Sequence, residues 1–200
     1  GDINVLASNT EVINALSSFS TEVESNGGLH SANWNSLNDQ YNPWFTQYVK
    51  GYGYYDLFLI SSNGEVVYSQ GKESDLGENL MSGSLNGSGL GKLFAKAMQK
   101  TAIVDFEPYA PSNGEQASFI GAPVIQNGET IGVIALQMPT DAINAIVQRR
   151  DGMGESSENY LVGELNGATA YRSNRTVKSG KIGQPRKDVY SAKALQGESG

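Results

Sequence analysis

The sequence of 200 residues contains no cysteine and a single histidine, His30. The absence of cysteine excludes disulfide bonds, thiolate zinc sites, iron–sulfur clusters and a cysteine nucleophile. A Ser–His–Asp triad or a histidine-based metal site would depend entirely on His30, which lies in a Gly/Ser/Asn-rich segment typical of an exposed loop. A hydrolase is therefore a minor hypothesis that depends on this one residue.

Charged residues are also scarce, and their balance is negative. They make up 18% of the chain, against roughly 25% in average soluble domains, and the formal net charge is -7. This balance argues against binding to nucleic acid or to an anionic membrane surface, since both need a basic face. The surface must be polar but largely uncharged, which suits an extracytoplasmic protein. No apolar run reaches the ~20 residues of a membrane span, so any spans are expected to flank this chain.

No cofactor motif is complete. Residues 87–92 read GSGLGK and hint at a phosphate-binding loop. However, Asn86 stands where the first glycine is needed, and Leu93 follows Lys92 where the motif needs Ser or Thr. No calcium-binding loop of the Asp-x-Asn-x-Asn-Gly type is present either.

Two pairs of acidic residues have the composition of acid–base catalysts, Glu73/Asp75 and Asp105/Glu107. Residues two apart on a strand, such as Asp105/Glu107, share a face, whereas on a loop, as for Glu73/Asp75, they are usually solvated, and we expect neither pair to be catalytic. The sequence therefore predicts no enzyme activity, no catalytic residue, no metal and no cofactor.

The N-terminal segment 3–26 has the apolar spacing of a long helix, ended by Asn26-Gly27-Gly28. Its apolar residues recur at intervals of seven, four and three, which is a narrow, heptad-like seam. Two interpretations stay open: the helix packs on its own sheet, or the seam joins two chains in a parallel homodimer. The seam residues are Val5, Val12, Leu16, Phe19 and Val23.

The remainder of the chain predicts one α+β unit. A helical or turn segment at 37–49 is broken by Pro43, and a Gly/Ser/Asn-rich loop covers 71–88. Three Asn-Gly pairs predict hairpin turns. The predicted strands are 54–60, 65–68, 102–109, 116–125 and 130–138, and the predicted helices are 89–100 and one from Pro139 to Arg150.

A partial repeat follows. Asn63-Gly64 and Tyr68 recur about 100 residues later as Asn166-Gly167 and Tyr171, with apolar strands before both turns. A period of this length indicates tandem domains, since solenoid repeats are about 20–50 residues long. We predict an N-terminal helical region at 1–50, a complete PAS-like module of five to six antiparallel strands at 51–150, and the start of a second at 151–200.

The order of these segments resembles the double-Cache sensor domains of bacterial methyl-accepting chemotaxis receptors and related histidine kinases. The likeness is carried by the membrane-distal module's segments 54–60, 63–68, 72–80, 105–109, 119–124 and 131–137, and by segments 158–163 and 171–173 of the membrane-proximal one. It implies a periplasmic domain of an inner-membrane receptor that binds a small molecule non-covalently in the distal module and works as a dimer.

The same resemblance places the ligand between the sheet and the excursion that follows the first hairpin. Amino-acid-binding members clamp the carboxylate with an Arg-x-Trp-Tyr stretch and hold the amine with acidic residues on the third and fifth strands. Here no arginine precedes Arg149, and Pro111 and Gln137 stand where those acidic residues are expected. Each charge-assisted hydrogen bond contributes about 1.5–3 kcal/mol, so we expect free amino acids to bind poorly.

The candidate pocket is then aromatic and mostly neutral, which suits an uncharged polar ligand or a cation held over rings. Lys92 offers an alternative contact for an organic anion, and plain core packing remains the alternative for every aromatic residue. The candidate ligand-binding residues are Trp44, Tyr48, Tyr68, Lys92, Asp105, Tyr109, Phe119 and Gln137.

Three functions remain open at this point. The first is the sensor domain of a chemoreceptor, and the second is the sensor of a histidine kinase or a cyclic-dinucleotide enzyme. The third is a module that binds no small molecule and docks a periplasmic binding protein.

Overall fold

The computed structural model describes residues 2–25 and 27–198. The helices are α1 (Ile3–Ala7), α2 (Thr10–Ser25), α3 (Ala32–Tyr52), α4 (Gly89–Ala97), α5 (Thr140–Val147) and α6 (Val189–Leu195). The strands are β1 (Asp56–Ser61), β2 (Val66–Ser69), β3 (Ala102–Tyr109), β4 (Glu115–Gln126), β5 (Glu129–Met138), β6 (Val162–Leu165) and β7 (Ala168–Tyr171). No helix within these ranges combines the length and the apolar character needed to cross a bilayer.

The first five strands form one antiparallel sheet in the order β2-β1-β5-β4-β3. Both of its faces are covered, so all six residues of β1 are buried. Leu57 and Leu59 face α1, α2 and α3, whereas Phe58 and Ile60 face α4 and the loop that precedes it. The predicted α+β class with a five-stranded antiparallel sheet is confirmed.

The predicted N-terminal helix is in fact two helices. Ser8 caps the end of α1, and the Asn9 side chain accepts a hydrogen bond from the backbone of Glu11, as N-cap residues do. The break turns Val5 outward, where it is 67% exposed. Asn26, which was predicted to end the helix, lies outside the described residues.

The apolar seam of α2 is used inside the chain. Val12, Leu16 and Phe19 are fully buried in the core between α2, α3 and the sheet, and the ring of Phe19 lies 5.2 Å from that of Tyr68. A residue buried in its own core cannot also form a dimer contact. The homodimer interpretation of the seam is therefore wrong for these three residues.

Helix α3 continues through Pro43, contrary to the predicted break. Its N-terminus is capped by Ser31, and its C-terminus by Gly53 in the left-handed region (φ 72°). The buried face repeats at intervals of seven and four through Trp34, Tyr41, Phe45 and Val49. Pro43 lies on the exposed face, where water can solvate the carbonyl that the missing N–H leaves without a partner.

On the other side of the sheet, α4 packs through Leu90, Leu93, Phe94 and Ala97. The loop between β2 and α4 completes this layer with Leu80 and Leu85. This layer covers the end of the sheet at which the predicted ligand-binding residues Tyr109 and Phe119 lie.

The C-terminal part begins with the hairpin β6–β7. Its turn, Asn166-Gly167, has positive φ at both residues (52° and 78°), which identifies the type I′ turn that Asn-Gly favours. Arg172, directly after β7, fastens the hairpin to β3: it forms an ion pair with Asp105 at 3.0 Å and donates to the carbonyl of Phe106 at 2.6 Å. That this hairpin begins a second module stays a prediction.

Candidate ligand-binding site

A group of buried polar side chains lies on the α4 side of the sheet. Asp56 begins β1 and is paired in register with Gln137 near the end of β5. Both are at most 3% exposed, and so are three further members from the loop after β2, the end of β3 and the turn after it. We call this set the polar cluster: Asp56, Asp75, Tyr109, Ser112 and Gln137.

Hydrogen bonds link four of these residues in two separate groups. The Tyr109 hydroxyl donates to Asp75 Oδ2 at 2.9 Å. The Gln137 amide donates to Ser112 Oγ at 3.1 Å, and Ser112 in turn donates to Glu73 Oε2 at 3.0 Å. The cluster therefore joins strands β3 and β5 to the loop that lies over them.

Asp56 holds the start of that loop through one oxygen. Its Oδ1 accepts hydrogen bonds from the backbone N–H of Leu57 at 2.6 Å and of Gly71 at 2.8 Å. A Cβ at position 71 would lie 2.8 Å from Asp56 Oδ2. A larger residue at position 71 would therefore require the Asp56 carboxylate to move.

Three oxygens of the cluster have no hydrogen-bond partner within the described chain: Asp56 Oδ2, Asp75 Oδ1 and Gln137 Oε1. All three are acceptors, and all three are buried. Most buried polar atoms in proteins have a partner, so a group of unpaired acceptors in one place is a feature that needs an explanation.

Burial also perturbs the titration of these groups. Burial and, to a smaller extent, the charges of Asp75 and Glu73 raise the pKa of Asp56 to about 7 against the opposing hydrogen bonds from Gly71 and Leu57. Burial raises the pKa of Asp75 to about 6. Burial and then the charge of Asp75 raise the pKa of Tyr109 far above its usual value, so this hydroxyl stays a donor.

The cluster has an aromatic floor and a partly exposed edge. The ring of Phe119 contacts those of Tyr109 and Phe58, with centroids 4.9 and 6.1 Å apart. At the edge, the Tyr55 hydroxyl donates to Glu73 Oε1 at 2.8 Å, and Tyr55 is 44% exposed.

The eight residues predicted from the sequence do not form one site. Tyr109, Phe119 and Gln137 come together at the polar cluster. Lys92 instead forms an ion pair with Glu107 at 2.7 Å. Asp105 forms an ion pair with Arg172, and 61% of the Asp105 side chain is exposed.

The other three lie beyond the opposite face of the sheet. Tyr68 is buried among the helices and donates to Asn42 at 2.9 Å. Trp44 and Tyr48 stack on each other, with ring centroids 5.8 Å apart, on the outer side of α3. They lie beside a shallow groove of about 320 Å³ that also includes Tyr52.

Sequence reasoning missed Asp56 and Ser112 and misplaced Asp75. The pair Glu73/Asp75 was expected to be solvated, but Asp75 is fully buried. One signal was available: Asp56 interrupts the aromatic and apolar run 54–60, where a charged residue is out of place. Nothing local distinguishes Asp75 or Ser112 from loop residues.

Neither of the remaining chemical hypotheses gains support from the geometry. His30 is exposed with φ 63°, and its ring lies edge-on to Trp34 at 5.2 Å. Within the described ranges, no three His, Asp or Glu residues are grouped so that they could hold a metal ion.

Comparison with known proteins identifies the fold. No protein-family model matches the sequence, and no curated protein is similar to it. The sensor domain of the Vibrio cholerae histidine kinase DctB superimposes with a TM-score of 0.55 at 20% identity, over 74% of this chain and 50% of that one. The fold is that of a Cache-type, PAS-like sensor domain. The chain spans half the length of the DctB domain.

Two chemoreceptor ligand-binding domains are also similar. That of Pseudomonas fluorescens CtaA, in complex with L-serine, matches at 13% identity and a TM-score of 0.48, over 88% of this chain and 72% of that one. That of Campylobacter jejuni Tlp3, in complex with 4-methylisoleucine, matches at 10% identity and 0.44, over 85% and 89%.

These complexes correct one expectation. We expected free amino acids to bind poorly, yet the CtaA domain was crystallised with L-serine and another similar domain, that of Tlp3, with L-valine. The expectation rested on the missing arginine clamp and on the missing acidic residues at positions 111 and 137. Its premise about the acidic residues was wrong, because the buried carboxylates of Asp56 and Asp75 lie at the polar cluster instead.

Proposed function

We propose that this chain is the extracytoplasmic ligand-sensing domain of a bacterial transmembrane receptor, and that a small molecule binds non-covalently at the polar cluster. The observation that supports this function best is the cluster itself. Buried carboxylates with unpaired oxygens lower the stability of a domain, and such a cost is typical of binding sites. The fold shared with the DctB sensor domain agrees with this function.

A chemoreceptor of the methyl-accepting type is the first candidate for the whole protein. A histidine kinase is the second, and the likeness to DctB favours it. In either case we propose that residues 51–150 form the membrane-distal module and that residues 151–200 begin the membrane-proximal one. A two-stranded hairpin such as β6–β7 is marginally stable alone, which agrees with an incomplete module.

The sheet offers a route from the ligand to the N-terminal helices. Asp56 and Gln137 lie on β1 and β5, whose other face packs against α2 through Leu57, Leu59 and Leu136. A ligand that displaces the residues of the cluster changes the packing of these two strands against α2. To signal, it needs only a different affinity for two arrangements of this contact.

A thermal-shift screen against amines, amino acids, organic acids and sugars tests the function. A ligand at one hundred times its dissociation constant stabilises by about 2.7 kcal/mol, which raises the midpoint by roughly 5–10 °C in a domain of this size. We expect at least one compound to do so. If no compound shifts a well-folded sample, direct sensing is contradicted and docking of a periplasmic binding protein takes its place.

Two tyrosines provide matched variants for locating the ligand. Tyr109 and Tyr68 are both buried, and each donates one hydrogen bond, but they lie on opposite faces of the sheet. We expect Tyr109→Phe to weaken binding at least tenfold and Tyr68→Phe to leave it unchanged. The reverse result would place the ligand among the helices.

A further inference from the structure

The polar cluster has an excess of negative charge and no cation that balances it. Asp56 and Asp75 are fully buried, and Glu73 is joined to the cluster through Ser112. None of the ion pairs within residues 2–25 and 27–198 includes any of these three carboxylates. A buried carboxylate without a partner is unfavourable, so full ionisation of the cluster destabilises the arrangement that the structure shows.

The groups around Asp56 do not offset this charge. Those that face it from the loop 71–79, from β3 and from β2 are acids or neutral phenols: Asp75, Glu73, Tyr109 and Tyr68. Two lysines of the adjoining segments are engaged elsewhere, since Lys72 donates to Asn42 at 3.3 Å and Lys92 pairs with Glu107. The charges that act on Asp56 are those of Asp75 and Glu73, and both are negative.

The hydrogen bonds of the cluster lack a donor. Asp56 Oδ2, Asp75 Oδ1 and Gln137 Oε1 are buried acceptors without a partner. The Tyr109 hydroxyl and the Gln137 amide already donate to other atoms. A proton on one carboxylate changes an acceptor into an O–H donor. One bound proton therefore removes one negative charge and supplies a donor for a second unpaired oxygen.

The same residues hold the loop 71–79 against the sheet. Asp56 Oδ1 accepts from the backbone N–H of Gly71 at 2.8 Å, and Asp75 Oδ2 accepts from the Tyr109 hydroxyl at 2.9 Å. If the loop leaves the sheet, water reaches both carboxylates and stabilises their ionised form. The closed loop seen here therefore binds a proton more tightly than an open loop does, and by linkage the proton favours closure.

The titration of the two carboxylates agrees with this difference. Burial raises the pKa of Asp56 to about 7 and that of Asp75 to about 6, whereas an unperturbed aspartate has a pKa of 3.8. Solvation in the open form returns each pKa towards the ordinary value. The closed form is therefore favoured at acidic pH and loses this advantage as the pH rises through neutrality.

We propose that the polar cluster is a proton-binding switch, in which a proton held by Asp56 and Asp75 closes the loop 71–79 and its release opens the loop. The domain then responds to pH as an input of its own. This inference goes beyond the proposed function, because it requires no small-molecule ligand and is tested without one.

Two NMR measurements on the unliganded chain test the switch. The carboxyl ¹³C signals of aspartate, followed from pH 3 to pH 9, report the protonation of Asp56 and Asp75 directly. The amide exchange rates of Gly71 and Gly77, divided by their intrinsic rates, give the opening constant of the loop; the Gly77 N–H donates to the Val66 carbonyl. From pH 5.5 to pH 7.5 we expect this constant to rise about twentyfold for the pKa of Asp56 given above.

Two internal controls separate loop opening from unfolding of the domain. The buried amides of β5 exchange when the whole domain unfolds, so Gly71 should exchange faster than they do at both pH values. The amide of Gly53 donates to the Val49 carbonyl at the end of α3, where helices fray locally. Its corrected exchange rate should not change with pH.

Variants of the chain test the named carboxylates. Asparagine resembles a protonated aspartate, with one atom that accepts and one that donates. Asp56→Asn should therefore keep the opening constant at the wild-type value for pH 5.5 at both pH values. Asp75→Asn removes a charge that raises the pKa of Asp56 and should move the transition to lower pH. Asp39→Asn removes an equal charge from the exposed face of α3 and should keep the wild-type response.

Circular dichroism verifies that each variant is folded, and Glu73→Gln replaces any variant that is not. Three results would overturn the inference: ionisation of both Asp56 and Asp75 below pH 5, an opening constant that is equal at pH 5.5 and pH 7.5, or a wild-type pH response in both asparagine variants. Exchange of Gly71 no faster than that of β5 would also overturn it. None of these results bears on the binding of a small molecule, which the thermal-shift screen tests separately.

Discussion

The substitution Asp56→Asn should make the unliganded protein more stable, and the gain should depend on pH. Asn keeps an oxygen for the N–H groups of Leu57 and Gly71 and removes a buried charge. The pKa of Asp56 is about 7 in the folded protein and 3.8 for an unperturbed aspartate. This difference of about 3 units corresponds to roughly 4 kcal/mol.

The sign follows from the proton balance. Between pH 4 and 7 the folded protein keeps the Asp56 proton that the unfolded chain has already lost. The wild-type protein therefore loses stability as the pH rises through this range, and the loss is complete above pH 7. The other groups that face Asp56, namely Asp75, Glu73 and Tyr109, are present in both proteins and largely cancel in the comparison.

Urea unfolding followed by tryptophan fluorescence at pH 5 and pH 8 measures the effect. We expect the advantage of Asp56→Asn over the wild type to grow by about 2–3 kcal/mol between the two pH values, while Asp39→Asn shows no such growth. An advantage that is equal at pH 5 and pH 8 would refute the reasoning, because it would mean that Asp56 does not titrate in this range.

Three further predictions concern the packing. Leu16→Ala should destabilise the chain by about 2–5 kcal/mol in urea unfolding without changing its mass in light scattering. A change in mass would support the interpretation of the seam as a dimer contact. Pro43→Ala should stabilise by about 1–3 kcal/mol, and a loss of stability in the thermal midpoint would show that the proline fits its helix. Arg172→Met, which leaves the Phe106 carbonyl without its donor, should cost about 2–4 kcal/mol and expose the segment 150–160 to proteolysis; unchanged cleavage would mean that the hairpin is held by other contacts.

Much of the sheet could be predicted because its signals are local. The pair Asn127-Gly128 adopts positive φ at both residues and joins β4 directly to β5, as a type I′ turn does. Asn113-Gly114 also has positive φ at both residues, but it ends a longer connection that begins with the 3-10 turn Ala110–Ser112. The predicted strand 102–109 agrees with β3 at both ends, and the strands on either side of Asn127-Gly128 agree within one residue.

The helices were harder because their boundaries depend on which face meets water. Pro43 is a strong signal for a helix end in sequence, but it is tolerated on the exposed face of α3. The spacing of Val12, Leu16 and Phe19 is equally consistent with a dimer seam and with an internal core. Only the position of the sheet decides between these alternatives.

Only Tyr109 and Gln137 of the polar cluster could be predicted, because its members are distant in sequence. Asp56 and Gln137 are neighbours only through the pairing of β1 with β5, and Asp75 reaches them because the loop turns back over Tyr109. The aromatic content of the sequence led to the prediction of Trp44 and Tyr48 as ligand-binding residues instead. These two residues lie beyond the other face of the sheet. A site assembled by long-range pairing leaves little local signal.

The most direct test of a ligand at the polar cluster is amide hydrogen exchange, with and without the compound that gives the largest thermal shift. The account predicts slower exchange in the loop 71–79, which must close over the ligand, and in residues 109–112, while residues 44–52 of α3 are unchanged. Protection confined to 44–52 would place the ligand at the groove beside Trp44 and Tyr48 and would contradict the account.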